Sequence, residues 1–229
     1  MHINTLQLAK ISSAAYSSKA VLRNFGFDSI VKFECARTNT VGYLCLHYNS
    51  KQCVVVFRGT DHLEDWATNL NLIKVATPLN REIHRGFQEA YNSVKDALRE
   101  MLEPLVGWDL YCTAHSLGGA LACLLALQSG FKFKQVVTFG QPRFMGVHGY
   151  TNMSKYNVVR YVNAADIVAR IPVMGFKHTG DVVYINRKGE LVHNPSPMYM
   201  RLDSFWRVWT WIKDHRMTEY VKRLEKAKN

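Results

Sequence analysis

Hydrophobic and polar positions follow two rhythms along this chain, and each rhythm predicts an element. Residues 29–36, 41–47 and 52–57 are short runs rich in β-branched and aromatic side chains with a period near two, which predicts strands. Tyr48-Asn-Ser-Lys51, between the last two, predicts a hairpin turn. The same character returns at 108–113, 134–139, 157–163 and 181–185. Helical spacing runs over 4–16, through Leu6, Ala9, Ile11 and Ala15, and over 119–128, a strong helix-former stretch. Between them a single long helix is predicted over 83–105, with Phe87, Ala90, Tyr91, Val94, Leu98 and Leu102 on one stripe that ends near Pro104 and Gly107. Two helices are predicted to close the chain. Strands that alternate with helices predict an α/β sandwich with a mostly parallel central sheet flanked by helices.

The composition changes this picture little. The 229 residues are 48% hydrophobic and 21% charged, which fits one domain over 1–229 with a single large core. No internal repeat or low-complexity linker divides the chain, and no apolar run is long enough to cross a bilayer. The first ten residues lack the charged start, apolar stretch and cleavage site of a signal peptide, so a cytoplasmic location is expected, with export or release by lysis as the alternatives. Five cysteines (Cys35, Cys45, Cys53, Cys112, Cys123) are an odd number within apolar segments, which predicts buried free thiols.

The net charge of +11 needs more explanation, and +5 of it comes from residues 187–229. Such an excess draws a protein to anionic surfaces or simply forms a solvated face. Without a dense Lys/Arg run or a recognised motif, no specific nucleic-acid partner is expected.

The chemistry concentrates in Ala114-His115-Ser116-Leu117-Gly118, which lies between a strand pattern and a helix pattern. A strand that turns sharply into a helix at a serine pushes the Oγ out of the sheet, beside helix N–H groups that favour a developing anion. Serine is a weak nucleophile alone, and needs a histidine to take its proton and a carboxylate to orient that histidine. On an α/β-hydrolase scaffold the order is serine, acid, histidine. Asp166 follows the strand at 157–163, where such acids belong, and Asp181 and Asp203 are weaker candidates. His178, His193 and His215 all satisfy the order. His215 gains because Asp214-His215 is read as opening a helix with the stripe Met217, Tyr220, Val221 and Leu224, and a helix N-terminus favours a neutral base. The oxyanion donors are expected from the backbone of Leu117 and from Thr60, on the loop after the strand at 52–57. His84 and His115 are read as packed supports, with His178 a candidate for the same part, and the alternative reading of Ser116 itself is a helix cap. No metal-ligand spacing is present, so no metal or cofactor is implied.

Six ordered segments then carry a resemblance: Val55-Val-Phe-Arg-Gly-Thr60, His84-Arg-Gly-Phe87, His115-Ser-Leu-Gly-Gly119, Thr138-Phe-Gly-Gln-Pro-Arg143, Val162-Asn-Ala-Ala-Asp-Ile-Val168, and Asp214-His215 with Tyr220. Together they resemble the class 3 lipases, α/β-hydrolases that include the fungal triacylglycerol lipases. The resemblance implies Ser116 as nucleophile, Asp166 as orienting acid, His215 as general base, and Thr60 with Leu117 as the oxyanion hole of a lipid or small-ester hydrolase working through an acyl-enzyme. Two departures stand out: Ala114 replaces the commoner glycine, and Ala169 replaces a frequent proline, which loosens the acid's loop. Family lipases often carry an apolar lid, but Asp61-His-Leu-Glu-Asp65 before Trp66 offers only Leu63, so no sharp interfacial activation is expected.

One stretch remains unabsorbed, residues 198–212. Read as a helix, it places Leu202, Phe205, Trp206, Trp209 and Ile212 on a core-facing stripe, with Trp211 opposite, near Arg207, as a candidate anchor on an anionic membrane surface. The rival to an enzyme is a catalytically idle hydrolase fold that binds lipid or protein; the oligomeric state is open.

Overall fold

The structure, a computed structural model, describes residues 1–60, 73–77, 82–147 and 153–227. Twelve strands occur among them: β1 (Ser29–Cys35), β2 (Thr40–His47), β3 (Gln52–Phe57), β4 (Lys74–Ala76), β5 (Glu82–His84), β6 (Asp109–His115), β7 (Gln135–Phe139), β8 (Met145–Gly146), β9 (Val158–Asn163), β10 (Phe176–Lys177), β11 (Asp181–Ile185) and β12 (Leu191–His193). Eight form one sheet in the order β1-β2-β3-β6-β7-β9-β11-β12, and β10-β8-β5-β4 form a small second one. Strands β3, β6, β7, β9 and β11 are parallel neighbours, while β1, β2 and β12 extend the sheet antiparallel at its edges. The chain therefore adopts the α/β sandwich with a mostly parallel central sheet that its pattern of elements predicts.

Alternation along the central strands explains why helices cover both faces. In β3, Cys53, Val55 and Phe57 pack to one side with helices α3 (Arg85–Asn92), α4 (Lys95–Leu102) and α5 (Leu117–Gln128). Val54 and Val56 pack to the other with α1 (Thr5–Ala14), α2 (Lys19–Arg23) and the C-terminal helix at Met217–Lys226. A strand buried on both faces must be apolar at nearly every position, as β3 is. Because the central strands are parallel, the loops after β3, β6 and β9 leave the sheet at one edge, and the segments around Thr60, Ser116 and Asp166 meet there.

Three expectations require correction. The long helix over 83–105 is two helices, with Ile83 in β5. Ser93 Oγ donates to the Ala90 carbonyl at 2.7 Å and also bonds Thr38 Oγ1 at 2.8 Å, and Val94 leaves helical geometry at φ −128°. A side chain that bonds back into its own helix competes with the backbone ladder. The chain closes with three helices, α6 (Pro197–Ser204), α7 (Trp211–His215) and α8 (Met217–Lys226), and a 3-10 segment, Phe205–Thr210, separates the first two. Finally, the stripe through 202–212 is not core: Leu202, Phe205, Trp209 and Ile212 are exposed, and so is Trp211. The 3-10 turn breaks the periodicity that would have carried them inward. The Trp206 and Arg207 side chains, and the expected weak lid at 61–66, lie outside the described residues.

Of the five thiols, Cys45, Cys53, Cys112 and Cys123 are buried and free, and Cys35 is half-buried and free. Among the described residues no helix is long and apolar enough to cross a membrane.

Candidate active site

Ser116 sits at the turn from β6 into α5 with φ 57° and ψ −133°, a left-handed conformation that a residue with a side chain adopts only under strain. Two hydrogen bonds hold it there: Ser116 N–H donates to Phe139 O, and Gly119 N–H to Ser116 O, each at 2.9 Å. Close approach of the β3 loop demands a glycine, since a Cβ on Gly59 would lie 2.9 Å from Ser116 Cβ. Ala114 is accommodated without disturbance, fully buried in β6 and in register with Phe57 and Thr138.

Asp166 follows β9 through Ala164, itself at φ 37°, and its side chain is fully buried. A buried carboxylate is costly unless donors surround it. Here Val168 N–H (2.9 Å) and Ala169 N–H (3.3 Å) donate to Oδ1, and the Tyr220 hydroxyl to Oδ2 (2.6 Å). His215 Nδ1 lies 2.9 Å from both oxygens. Burial pushes this carboxyl up, but His215 and the Tyr220 hydroxyl outweigh burial and hold it below the usual carboxylate range. Burial and the neighbouring Asp166 push the Tyr220 hydroxyl well up, so it stays a donor. The residue at 169 has a positive use: a proline there would have no N–H to give Asp166.

Bonding of Nδ1 to a carboxylate fixes the neutral His215 ring as the Nδ1–H tautomer and leaves Nε2 as an acceptor. His215 ends α7 and does not open a helix, because Arg216 breaks the backbone at ψ 134° before α8. Its orientation therefore comes from Asp166, and no helix N-terminus contributes. Asp214 anchors the same corner: Oδ2 accepts from Ala165 N–H (3.2 Å) and the Thr210 hydroxyl (2.8 Å), and Oδ1 faces Arg223 at 3.5 Å.

His115 is the expected support. Its ring lies 4.5 Å from that of His215, and the two bonds it makes have one consistent polarity. Nε2 faces the His215 carbonyl at 2.7 Å and must carry the proton, so Nδ1 accepts from the Tyr16 hydroxyl at 2.7 Å, and Tyr16 oxygen in turn accepts from Gly59 N–H at 3.1 Å. This chain ties the β3 loop, the turn after α1 and the backbone of His215 together. Burial, and then the charge of His215, lower the His115 pKa to about 3.

The remaining histidines divide. His178 bonds the Ala169 carbonyl through Nε2 at 2.6 Å and so braces the Asp166 loop; His84 is buried between Phe87 and Phe176; His193 is exposed on edge strand β12. Asp181 is exposed, and Asp203 is committed to the Tyr184 hydroxyl and Arg187 N–H. Thr60 and Leu117 line one cavity of about 280 Å³ beside Gly118, with Phe87 and Leu121 as its apolar wall. Ser116 Oγ and His215 Nε2 are both buried and make no hydrogen bond among the described residues. Among the described residues no group of three His, Cys, Asp or Glu side chains is arranged to hold a metal.

Three contributors have roles that no local pattern announces: in the sequence Tyr16 marks the end of the first helix, Tyr220 is a stripe residue within a matching segment, and Asp214 precedes His215. Their partners lie 43 to 99 residues away for Tyr16 and 54 for Tyr220, so no local pattern signals them.

The chain matches the lipase (class 3) family over residues 54–176, more than half of its length. It is 29% identical to a lipase of Rhizomucor miehei over 60% of this chain and 42% of that protein. It is 31% identical to a lipase of Caenorhabditis elegans over 72% of this chain and 54% of that one. Thus the chain spans about half the length of the curated relatives it matches. The solved structure of a Rhizomucor miehei lipase propeptide complex superimposes with a TM-score of 0.69 at 23% identity, over 81% of this chain and 68% of that one, a likeness of fold.

Two outcomes follow from the Tyr16 and His115 chain. Tyr16→Phe removes the acceptor of Gly59 N–H and should cost about 1–2 kcal/mol; hydrogen exchange of the Gly59 amide should quicken, and unchanged exchange would contradict the bond. For His115, the unfolded chain takes up a proton below its ordinary value of 6.5, whereas the folded chain does not until about 3. Stability should therefore fall as pH drops through that window, by about 1.4 kcal/mol per pH unit for this group. Denaturant titrations should give a shallower slope for His115→Asn, and an identical slope would show that His115 does not contribute.

Proposed function

The chain belongs to the class 3 lipase family, and from that membership we propose that residues 1–229 act as one serine hydrolase domain on carboxylic esters of lipids, acylglycerol or phospholipid. One observation carries the reading: the buried Asp166 carboxylate grips His215 Nδ1 through both oxygens at 2.9 Å, leaving Nε2 unpartnered in a ring packed on His115, the residue before strained Ser116. In this mechanism Nε2 takes the Ser116 proton as Oγ attacks the ester carbonyl. The tetrahedral oxyanion is bound by the backbone N–H of Leu117, at the start of α5, and by Thr60 across the cavity. Asp166 stabilises the imidazolium, which then gives its proton to the leaving alcohol. Water, deprotonated by the same nitrogen, clears the acyl-enzyme.

Among the described residues Asp166 holds a histidine through both oxygens, whereas Asp203 is committed to Tyr184 and Arg187 and Asp181 is exposed. Removing one hydroxyl at Ser116 takes away the nucleophile and little packing. Ser116→Ala should lower turnover of a short-chain ester by roughly 10⁴-fold or more with an unchanged melting temperature. A fluorophosphonate probe should label the parent protein and not the variant. An unlabelled parent would favour the rival reading, an idle hydrolase fold that binds lipid or protein.

A further inference from the structure

The apolar segment that the core does not absorb lies outside the family match, and it is placed beside the candidate catalytic residues. Four side chains of α6 and the following 3-10 turn stand in solvent: Met198 is 65% exposed, Leu202 66%, Phe205 68% and Trp209 92%. Together with Trp211 and Ile167 they line an open groove of about 680 Å³. Scattered apolar residues are ordinary on a surface, but a contiguous aromatic patch of this kind marks an interaction site.

Charge selects the partner. Arg170 and Arg201 line the same groove, and exposed Lys213 follows it on α7. Asp203, the one acidic residue between 197 and 213, turns away to Tyr184 and Arg187, and buried Asp214 is paired with Arg223. A second copy would bring arginines against arginines on two chains of net charge +11, so self-association opposes the electrostatics. Aromatic side chains bordered by arginines match the interface of a negatively charged bilayer, where rings enter the acyl boundary and guanidinium groups meet phosphates.

We propose that the face formed by Met198, Leu202, Phe205, Trp209, Arg201 and Arg170 docks this protein on anionic phospholipid bilayers. Docking there brings the membrane to the loop that carries Asp166, since Ile167 borders the groove, and to α7, which carries both Trp211 and His215. Its significance for ester hydrolysis rests on the function proposed above, but adsorption itself does not need turnover.

The test is sedimentation of the full chain with vesicles of non-hydrolysable diether phosphatidylcholine, with and without diether phosphatidylglycerol. Adsorption should require phosphatidylglycerol and weaken as salt is raised. It should fall about ten-fold in the double variant Phe205→Ser/Trp209→Ser and by a similar factor in Arg201→Glu. Circular dichroism melting checks that each variant folds, and the single charge change keeps the test alive if the double variant does not. Equal adsorption of folded variants and parent would overturn the proposal, as would equal binding to neutral and anionic vesicles. So would a concentration-dependent dimer of the parent that the double variant abolishes, because a second copy would then be the occupant. A parent that adsorbs as expected yet hydrolyses no soluble ester would count against the proposed function and leave the docking face standing.

Discussion

A carboxylate buried without access to water is the constraint on which the site depends. Asp166 is fully buried, and the interior tolerates its charge only because two backbone N–H groups, a tyrosine hydroxyl and an imidazole surround it. These donors come from three parts of the fold: the short turn after β9, helix α8 and the end of α7. Satisfying Asp166 therefore fixes the C-terminal helices against the sheet edge and orients His215 in the same act. Gly140, at φ 60°, leaves room for this, since a Cβ there would lie 2.6 Å from Asp166 Oδ2.

A second, uncharged chain locks the other side of the site. Gly59 N–H, Tyr16, His115 and the His215 carbonyl form an ordered sequence of donors and acceptors in which every polarity is set by the group at its end. A charged His115 would need a second acceptor at Nδ1, where Tyr16 offers its proton, so the low pKa and the hydrogen bonds describe the same neutral ring. The two networks meet at His215, one through its ring and one through its backbone.

Much of the fold was legible because its signals are local. The β-branched runs at 52–57 and 135–139 and the small residues around Ser116 give strands and an elbow whatever surrounds them. The order of Thr60, Ser116, Asp166 and His215 narrowed the candidates further, and the parallel strands deliver those segments to one edge. What stayed hidden depends on distant partners. Ser93 breaks a helix partly through Thr38, Tyr16 acquires its role from His115 and Gly59, and nothing in the repeat of apolar residues at 202–212 announces the 3-10 turn that leaves them in solvent. The run around His215 suggests a helix N-terminus that His215 does not occupy; the carboxylate orients its ring instead.

The claim that Asp166 sets the state of His215 is tested most directly by the long-range nitrogen NMR correlations of the His215 ring in the folded protein at neutral pH. The account predicts that the uncharged ring keeps its proton on Nδ1 and leaves Nε2 bare, with tautomer averaging once Asp166 is replaced by alanine. A proton resident on Nε2 in the parent protein, or a tautomer unchanged in Asp166→Ala, would contradict it.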